Sequence, residues 1–222
     1  FRTFISLNLA LSVISSGGFL PTNNLSSILN NELKINLFSL TLLISFFGLF
    51  FLYNVFLIKN KGLKSIQEDL YLLFYLLFVY SIFFIFSDKN IDFNYLFLAI
   101  SSSVSNVGIS LEKTPQKFAF IFLLLIIVGG SFFSTSSGLR FVKIYSLIKF
   151  SINELISHSK PKNIFLNKLA FSDKNMNLDD FYKYFLTIII FIISLIILSS
   201  ILSIMGLSID EAFKLSILTL MN

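Results

Sequence analysis

The chain of 222 residues is 55 % hydrophobic and only 13 % charged, with a mean hydropathy of +0.85 and 29 phenylalanines. A soluble domain carries roughly a quarter charged residues, so this composition excludes one and predicts an integral membrane protein. The formal net charge of +5 is better explained by membrane orientation than by nucleic-acid binding, and the absence of cysteine excludes disulfides, thiolate metal sites and cysteine nucleophiles.

Apolar segments of two lengths alternate along the first part of the chain. Their runs are continuous rather than alternating with polar residues, which predicts an all-α membrane fold and not a β-barrel. Residues 2–14 are too short for a membrane crossing of ~20 residues, and a loop with glycine and proline breakers follows over 15–31. Residues 35–58 and 70–86 are long enough to cross, and the basic segment 59–64 separates them.

The second part of the chain repeats this alternation of short and long segments. In order, we predict a short apolar segment at 93–104, a strongly apolar helix at 118–128, a glycine- and serine-rich loop at 129–138, a basic helix at 139–150, a polar connector at 151–180, a full span at 181–205 and a third short apolar segment at 209–220. The positive-inside rule places the basic segments in the cytoplasm, so the three short segments enter the membrane from the outside.

Two short loops have the pattern of one repeated device. Ser15-Ser-Gly-Gly-Phe19 and Ser105-Asn-Val-Gly-Ile109 each follow a short apolar segment. Glycine adopts backbone angles that other residues resist, and a loop of small residues after a short helix can present carbonyl oxygens to a dehydrated ion. The repeat predicts an ion filter built from the backbone of Ser15, Ser16, Gly17, Gly18, Ser105, Asn106, Val107 and Gly108.

Four stretches resemble the ion-conducting subunit of the Trk/Ktr/HKT superfamily of potassium transporters, most of all its TrkH type. The two loops resemble the filters of that subunit's second and third repeats. The run Gly129-Gly-Ser-Phe-Phe-Ser-Thr-Ser-Ser-Gly-Leu-Arg140 is similar to the glycine-rich loop that interrupts the second helix of its third repeat. Residues 218–222 resemble the end of its fourth pore helix. Nearly the whole chain can be laid on this plan, as a fragment of a longer protein.

The resemblance implies a potassium-channel-like fold of repeated units, each with a helix, a pore helix, a filter loop and a second helix. Its parts would be the pore helix, filter and second helix of the second repeat at 1–58, the third repeat with its broken second helix at 67–150, a cytoplasmic connector at 151–180, and the first helix and pore helix of the fourth repeat at 181–222, which end before its filter.

The resemblance also implies that the 129–138 loop gates the pore. The residues that match the family's loop, with the basic residue after it, are Gly129, Gly130, Ser131, Ser134, Thr135, Gly138 and Arg140. Phe132 and Phe133 stand where the family has smaller residues, which predicts a bulkier loop and altered gating.

By the same resemblance the chain would take up potassium across the cytoplasmic (inner) membrane as a multi-pass protein. K⁺ would be the transported ion, bound by the backbone carbonyls of the filter residues, with no cofactor. The implied partners are a second copy in a homodimer, a cytosolic nucleotide-binding regulatory subunit of the TrkA type and membrane lipid. In plant and fungal relatives a serine in place of a filter glycine is linked to sodium permeation, so Gly18 and Gly108 favour K⁺ over Na⁺.

Other classes of membrane protein remain alternatives. A secondary transporter of another fold, coupled to Na⁺ or to a solute, would also contain broken helices. Such proteins usually hold an ionisable residue at mid-membrane, and none of the main apolar runs has one near its centre. An intramembrane enzyme would need a catalytic or metal-binding set at depth; the single histidine, His158, lies in the polar connector, so we expect no enzyme. A purely structural subunit would not need repeated loops.

Overall fold

The computed structural model describes residues 2–20, 25–48, 51, 65–86, 92–109, 116–157 and 178–221. The regular secondary structure of these residues is helical. They contain one isolated parallel β-bridge, between Val128 and Leu139. The α-helices are α1 (Arg2–Ile14), α2 (Glu32–Phe46), α3 (Ser65–Phe86), α4 (Phe93–Ser105), α5 (Ala119–Ile127), α6 (Phe141–Ser157), α7 (Leu178–Ile204) and α8 (Ile209–Met221). The predicted all-helical fold is confirmed over this part of the chain.

Three of these helices share one short length and are called the short helices below; α5, with 9 residues, is shorter still. α1, α4 and α8 have 13 residues each, and they coincide with the three short apolar segments of the sequence. At about 1.5 Å per residue each is roughly 20 Å long, which is less than the ~30 Å hydrocarbon core of a bilayer. The short helices can therefore enter a membrane but cannot cross it.

The apolar run 35–58, long enough to cross a membrane, does not form one continuous helix, because α2 ends at Phe46. Phe47 is extended, with a ψ of 158°, and Gly48 is not helical. The freed backbone at this break binds outside the helix: the carbonyl oxygen of Phe46 accepts a hydrogen bond from the amide of Ser131, and the amide of Gly48 donates to the Asp69 carboxylate. Long-range partners thus compensate for the helical bonds that the break gives up. The segment 52–64, with its basic residues, lies outside the described residues.

The predicted connector 151–180 is shorter than expected on both sides. α6 continues to Ser157, and α7 already begins at Leu178. Asp179 and Asp180 occupy the first turn of α7, where a negative charge stabilises a helix N-terminus. Polar residues thus extend both helices beyond their apolar parts. His158 and the remainder of the connector lie outside the described residues.

α4 lies at the centre of the packing. Residues on almost every side of its second half are buried, and it packs on α2, α3 and α5. One apolar cluster joins it to α1 and α2 through Leu9, Leu42 and Leu98, and another joins it to α3 and α5 through Phe83 and Ile100. A third joins α5 to α7 and α8, through Leu195, Ile217 and partly buried α5 side chains. α4 is thus enclosed by its neighbours.

Two of the described helices are long and apolar enough to span a membrane. They cover Glu68–Phe86 and Asp179–Ile204, with mean hydropathies of 2.1 and 3.0. Only 6 % of the more apolar window is buried, so α7 exposes an almost unbroken hydrophobic surface. Soluble monomers rarely expose contiguous apolar surface of this extent. The exposure is compatible with a membrane location.

Candidate functional site

The two predicted filter loops follow the same backbone path. Ser16 and Asn106 are the residues other than glycine that have positive φ in the described chain, at 51° and 59°. Two residues later, Gly18 and Gly108 again have positive φ, at 65° and 72°. Alternation between negative and positive φ sets the direction of successive peptide groups, as it does in backbone nests. Because the alternation falls at the same positions, the two loops orient their peptide groups alike.

The hydrogen bonds that end α1 and α4 also match. The amide of Ser16 donates to the carbonyl oxygen of Val13 at 3.2 Å, and the amide of Asn106 donates to that of Ser103 at 3.3 Å. The next amide in each loop reaches one residue further back, to the carbonyl oxygens of Ser12 and Ser102 respectively, at 3.1 and 3.3 Å. The alignment made from sequence is therefore repeated bond by bond in the backbone.

The two loops touch each other. A Cβ built on Gly18 would collide with the carbonyl oxygen of Val107, so the backbones approach more closely than any side chain would allow. Gly108 is exposed, and an added Cβ there would meet no atom within 4 Å. The structure thus brings all eight predicted filter residues together in two adjoining loops, with one glycine at their contact and the other open.

The third short helix resembles the first near its C-terminus. The hydroxyls of Ser12 in α1 and of Ser15 just after it donate to carbonyl oxygens three residues earlier, and in α8 those of Ser216 and Thr219 do the same. Ser105 of α4 makes the corresponding bond to Ser102. Because these hydroxyls bond to carbonyl oxygens of the preceding turn, the helices end in small side chains whose hydrogen bonds are local.

The 129–138 loop leaves α5 and enters α6 through a narrow neck. The amide of Gly129 donates to the carbonyl oxygen of Leu139 at 2.7 Å, and the amide of Leu139 donates to that of Ile127 at 3.0 Å. A Cβ on Gly129 would lie 3.0 Å from the carbonyl carbon of Gly138, so the two sides of the neck meet where both have glycine. Gly138 also has a φ of +92°, which favours glycine.

The loop lies against the ends of all three short helices. The hydroxyl of Ser16, after α1, donates to the carbonyl oxygen of Thr135 at 3.1 Å, and that of Ser137 donates to the carbonyl oxygen of Met221 in α8. A Cβ on Gly138 would lie 3.0 Å from the side-chain nitrogen of Asn106, after α4. The 129–138 loop therefore sits where the three short helices converge.

The other side of the loop packs on the broken end of α2. The amide of Ser131 donates to the carbonyl oxygen of Phe46 at 3.1 Å, and the amide of Ser136 donates to that of Ser45 at 3.2 Å. The hydroxyl of Thr135 also points to the Ser45 carbonyl oxygen, at 3.3 Å. The loop is thus held between the short helices and α2.

The two phenylalanines do not fill the loop. Phe132 and Phe133 are about half exposed, at 55 % and 49 %, and their rings meet edge to face. The interior is formed instead by the buried residues Ser131, Ser134 and Ser136. The bulk predicted from sequence therefore lies on the loop's outside. In the described part of the chain no group of three His, Cys, Asp or Glu side chains is arranged to hold a metal ion.

Arg140 organises the loop from within. Its Nη1 donates to the carbonyl oxygens of Ser131, Ser134 and Ser136 at 3.0, 3.0 and 3.2 Å. Removing the guanidinium would take this donor from the carbonyl oxygens of Ser134 and Ser136, whereas that of Ser131 would keep the amide and hydroxyl of Ser134. Because each hydrogen bond to a charged group contributes about 1.5–3 kcal/mol, we expect Arg140→Met to lower the midpoint of thermal unfolding of the purified protein clearly. Lys143→Met, also in the basic start of α6, is the control; equal midpoints for the two variants would contradict this role.

Sequence reasoning missed three parts of this site. Glu68 and Asp69 precede the predicted span 70–86 and were expected to be outside it, but both are buried against the loop. The break in α2 after Phe46 was also missed. Two adjacent carboxylates at the start of an apolar run, and Gly48 inside another, are the sequence signals that could have indicated these features.

Comparison with known proteins adds no relative from which residues could be carried over. A scan against models of protein families finds no match to the chain, and a search of curated proteins also finds none. The site must therefore be interpreted from its own residues and geometry.

Proposed function

We propose that the chain forms part of a potassium-conducting pore whose filter consists of the backbone carbonyls of 15–18 and 105–108. One observation carries the proposal. The two loops repeat the same alternation of φ, they touch at Gly18, and the 129–138 loop lies against the helix ends from which they emerge. A core loop with a purely structural role would have no need of a second copy beside it.

The chemistry of these loops suits a cation that must lose its water. Carbonyl oxygens replace the hydration shell of K⁺ and hold the ion weakly enough for it to leave. α1 and α4 both end at the loops, so each directs toward them the C-terminal end of its dipole, equivalent to about half a negative charge. Neither loop contains a charged side chain, so selectivity would rest on the backbone.

The 129–138 loop would be the gate. Irregular backbone at membrane depth is tolerated only where protein or a water-filled cavity surrounds it. This loop satisfies its polar groups through Arg140, the broken end of α2 and the ends of α1 and α8. In this position it would block the path from the filter until it moves.

The wider setting is part of the same proposal. The protein would be a multi-pass protein of the cytoplasmic membrane, with the filter loops outside and the basic segments inside. Related units would complete the filter ring. A homodimer and a cytosolic nucleotide-binding regulatory subunit that acts on the gate would follow from the resemblance to the TrkH type.

We expect the intact gene to restore growth at low potassium in a bacterial strain without its own potassium uptake systems. The measurement is growth rate against external K⁺, compared with the empty vector and with the regulatory subunit co-expressed. Growth that needs the gene only at low K⁺ supports the proposal. No restoration, with the protein detected in the membrane, would contradict it and favour a transporter with another substrate.

A further inference from the structure

The N-terminal end of α3 places two adjacent carboxylates where α2 breaks and the 129–138 loop packs. Glu68 is 4 % exposed and Asp69 is fully buried. Taking a carboxylate out of water is costly unless fixed partners replace the water. Each side chain does have such a partner, and in both cases the partner is a backbone amide outside α3.

The two carboxylates hold different segments. Oε1 of Glu68 accepts a hydrogen bond from the amide of Phe132 at 2.8 Å, within the loop. Oδ1 of Asp69 accepts one from the amide of Gly48 at 3.2 Å, at the broken end of α2. A Cβ on Gly48 would lie 2.9 Å from the hydroxyl oxygen of Ser131, so these segments are themselves in contact. One helical turn thus fixes both the loop and the surface on which it packs.

We propose that Glu68 is the positioning residue that holds the 129–138 loop beneath the filter loops, and that Asp69 fixes the broken end of α2 for the same purpose. The inference rests on the proposed function, since the loop is a gate only if the pore conducts. The amides of Ser131 and Ser136 bind the backbone of α2, whereas that of Phe132 binds a carboxylate from α3. Of these three amides, that of Phe132 is therefore the one that a movement of α3 would release.

This arrangement gives a route by which the loop is released. α3 begins directly after the basic segment 59–64, which is predicted to face the cytoplasm. A small displacement of the N-terminal end of α3 would withdraw Glu68 from the Phe132 amide and Asp69 from Gly48 together. A regulator that binds the cytoplasmic side would thus loosen the loop and its support in one step, as a two-state element requires.

The test uses the absence of cysteine in the chain. Ser131→Cys introduces a single thiol at a position that is 1 % exposed, and its rate of reaction with a maleimide reports how often the loop opens. We expect Glu68→Met, which keeps the side chain's length but accepts no hydrogen bond, to raise this rate roughly ten- to hundredfold. Glu68→Gln retains an acceptor oxygen and should restore most of the protection. Glu32→Met, at an exposed position in the first turn of α2, is the control.

Labelling and ion flux separate this inference from the proposed function. Faster labelling with Glu68→Met, together with a higher resting K⁺ flux in liposomes, supports both. Faster labelling in a protein that carries no K⁺ under any condition supports the positioning role of Glu68 and overturns the proposed pore. Unchanged labelling overturns the positioning role of Glu68 whatever the flux. Equal labelling of Glu68→Met and Glu68→Gln also overturns it, because a side chain that only fills space is replaced equally well by either. If Glu68→Met does not fold, Glu68→Ala, which also accepts no hydrogen bond, takes its place. Faster labelling than in Glu68→Gln supports the positioning role of Glu68, and equal labelling overturns it.

Discussion

Replacing Gly18 by alanine is expected to abolish potassium uptake. The new Cβ would collide with the backbone carbonyl oxygen of Val107, a group that no rotamer change can move away. The residue also has a φ of +65°, where an L-amino acid costs roughly 1–2 kcal/mol. The two filter loops would be forced apart, and the carbonyl oxygens would no longer match the size of a dehydrated K⁺. The measurement is uptake of potassium or rubidium by cells that express the intact gene.

Two other glycines provide matched controls for this substitution. Gly206 has a φ of +102° in the turn between α7 and α8, and Gly108 has a φ of +72° in the second filter loop; an added Cβ meets no atom within 4 Å at either position. Gly206→Ala should therefore lose only stability, by a factor of about 5–30 in the folding equilibrium, and should keep its uptake. Gly108→Ala should lie between the two. Uptake by Gly18→Ala equal to that by Gly206→Ala would contradict the filter assignment.

Locking the 129–138 loop to the broken end of α2 is expected to stop ion flux reversibly. A Cβ at Gly48 would lie 2.9 Å from the Ser131 hydroxyl oxygen, and a Cβ lies about 3 Å from the far sulfur of a disulfide. In this cysteine-free chain, Gly48→Cys combined with Ser131→Cys should form one defined bridge under oxidising conditions. We expect oxidation to reduce K⁺ flux to the background of empty liposomes, and dithiothreitol to restore it.

The single variants Gly48→Cys and Ser131→Cys are the controls for this experiment. Neither can form the intramolecular bridge, so oxidation should leave their flux unchanged. Electrophoretic mobility without reductant shows whether the bridge has formed. Full flux through a completely bridged protein would show that the loop does not need to leave α2, and would remove it as the gate.

The boundaries of the three short helices could be predicted from the sequence to within a residue. The length of an apolar run limits how much backbone a helix can bury. α1 therefore begins and ends where the apolar pattern does, and α4 and α8 begin where it begins. The repeated loop could be predicted because its requirement is local. Positive φ at Gly18 and Gly108 is a property of glycine itself, and the identical spacing of the two loops placed them in register.

The surroundings of the loop could not be predicted, because they depend on long-range contacts. The run after Ile35 is apolar enough to continue through Gly48, yet α2 ends where its carbonyls bind the 129–138 loop, more than 80 residues away. Glu68 reads as a solvated residue before a span, and its burial depends on the amide of Phe132. Hydropathy patterns report the environment of a segment and contain no information on such partners.

The most direct test of the central claim is the ratio of K⁺ to Na⁺ flux through the intact protein in liposomes, for wild type and for Gly108→Ser. Gly108 is exposed, with no atom within 4 Å of an added Cβ, so serine can be accommodated while the left-handed backbone of the filter is strained. A backbone filter predicts that wild type prefers K⁺ and that Gly108→Ser loses flux or admits Na⁺. An unchanged ratio and rate in the variant, with wild type conducting K⁺, would contradict the assignment of these loops as the filter.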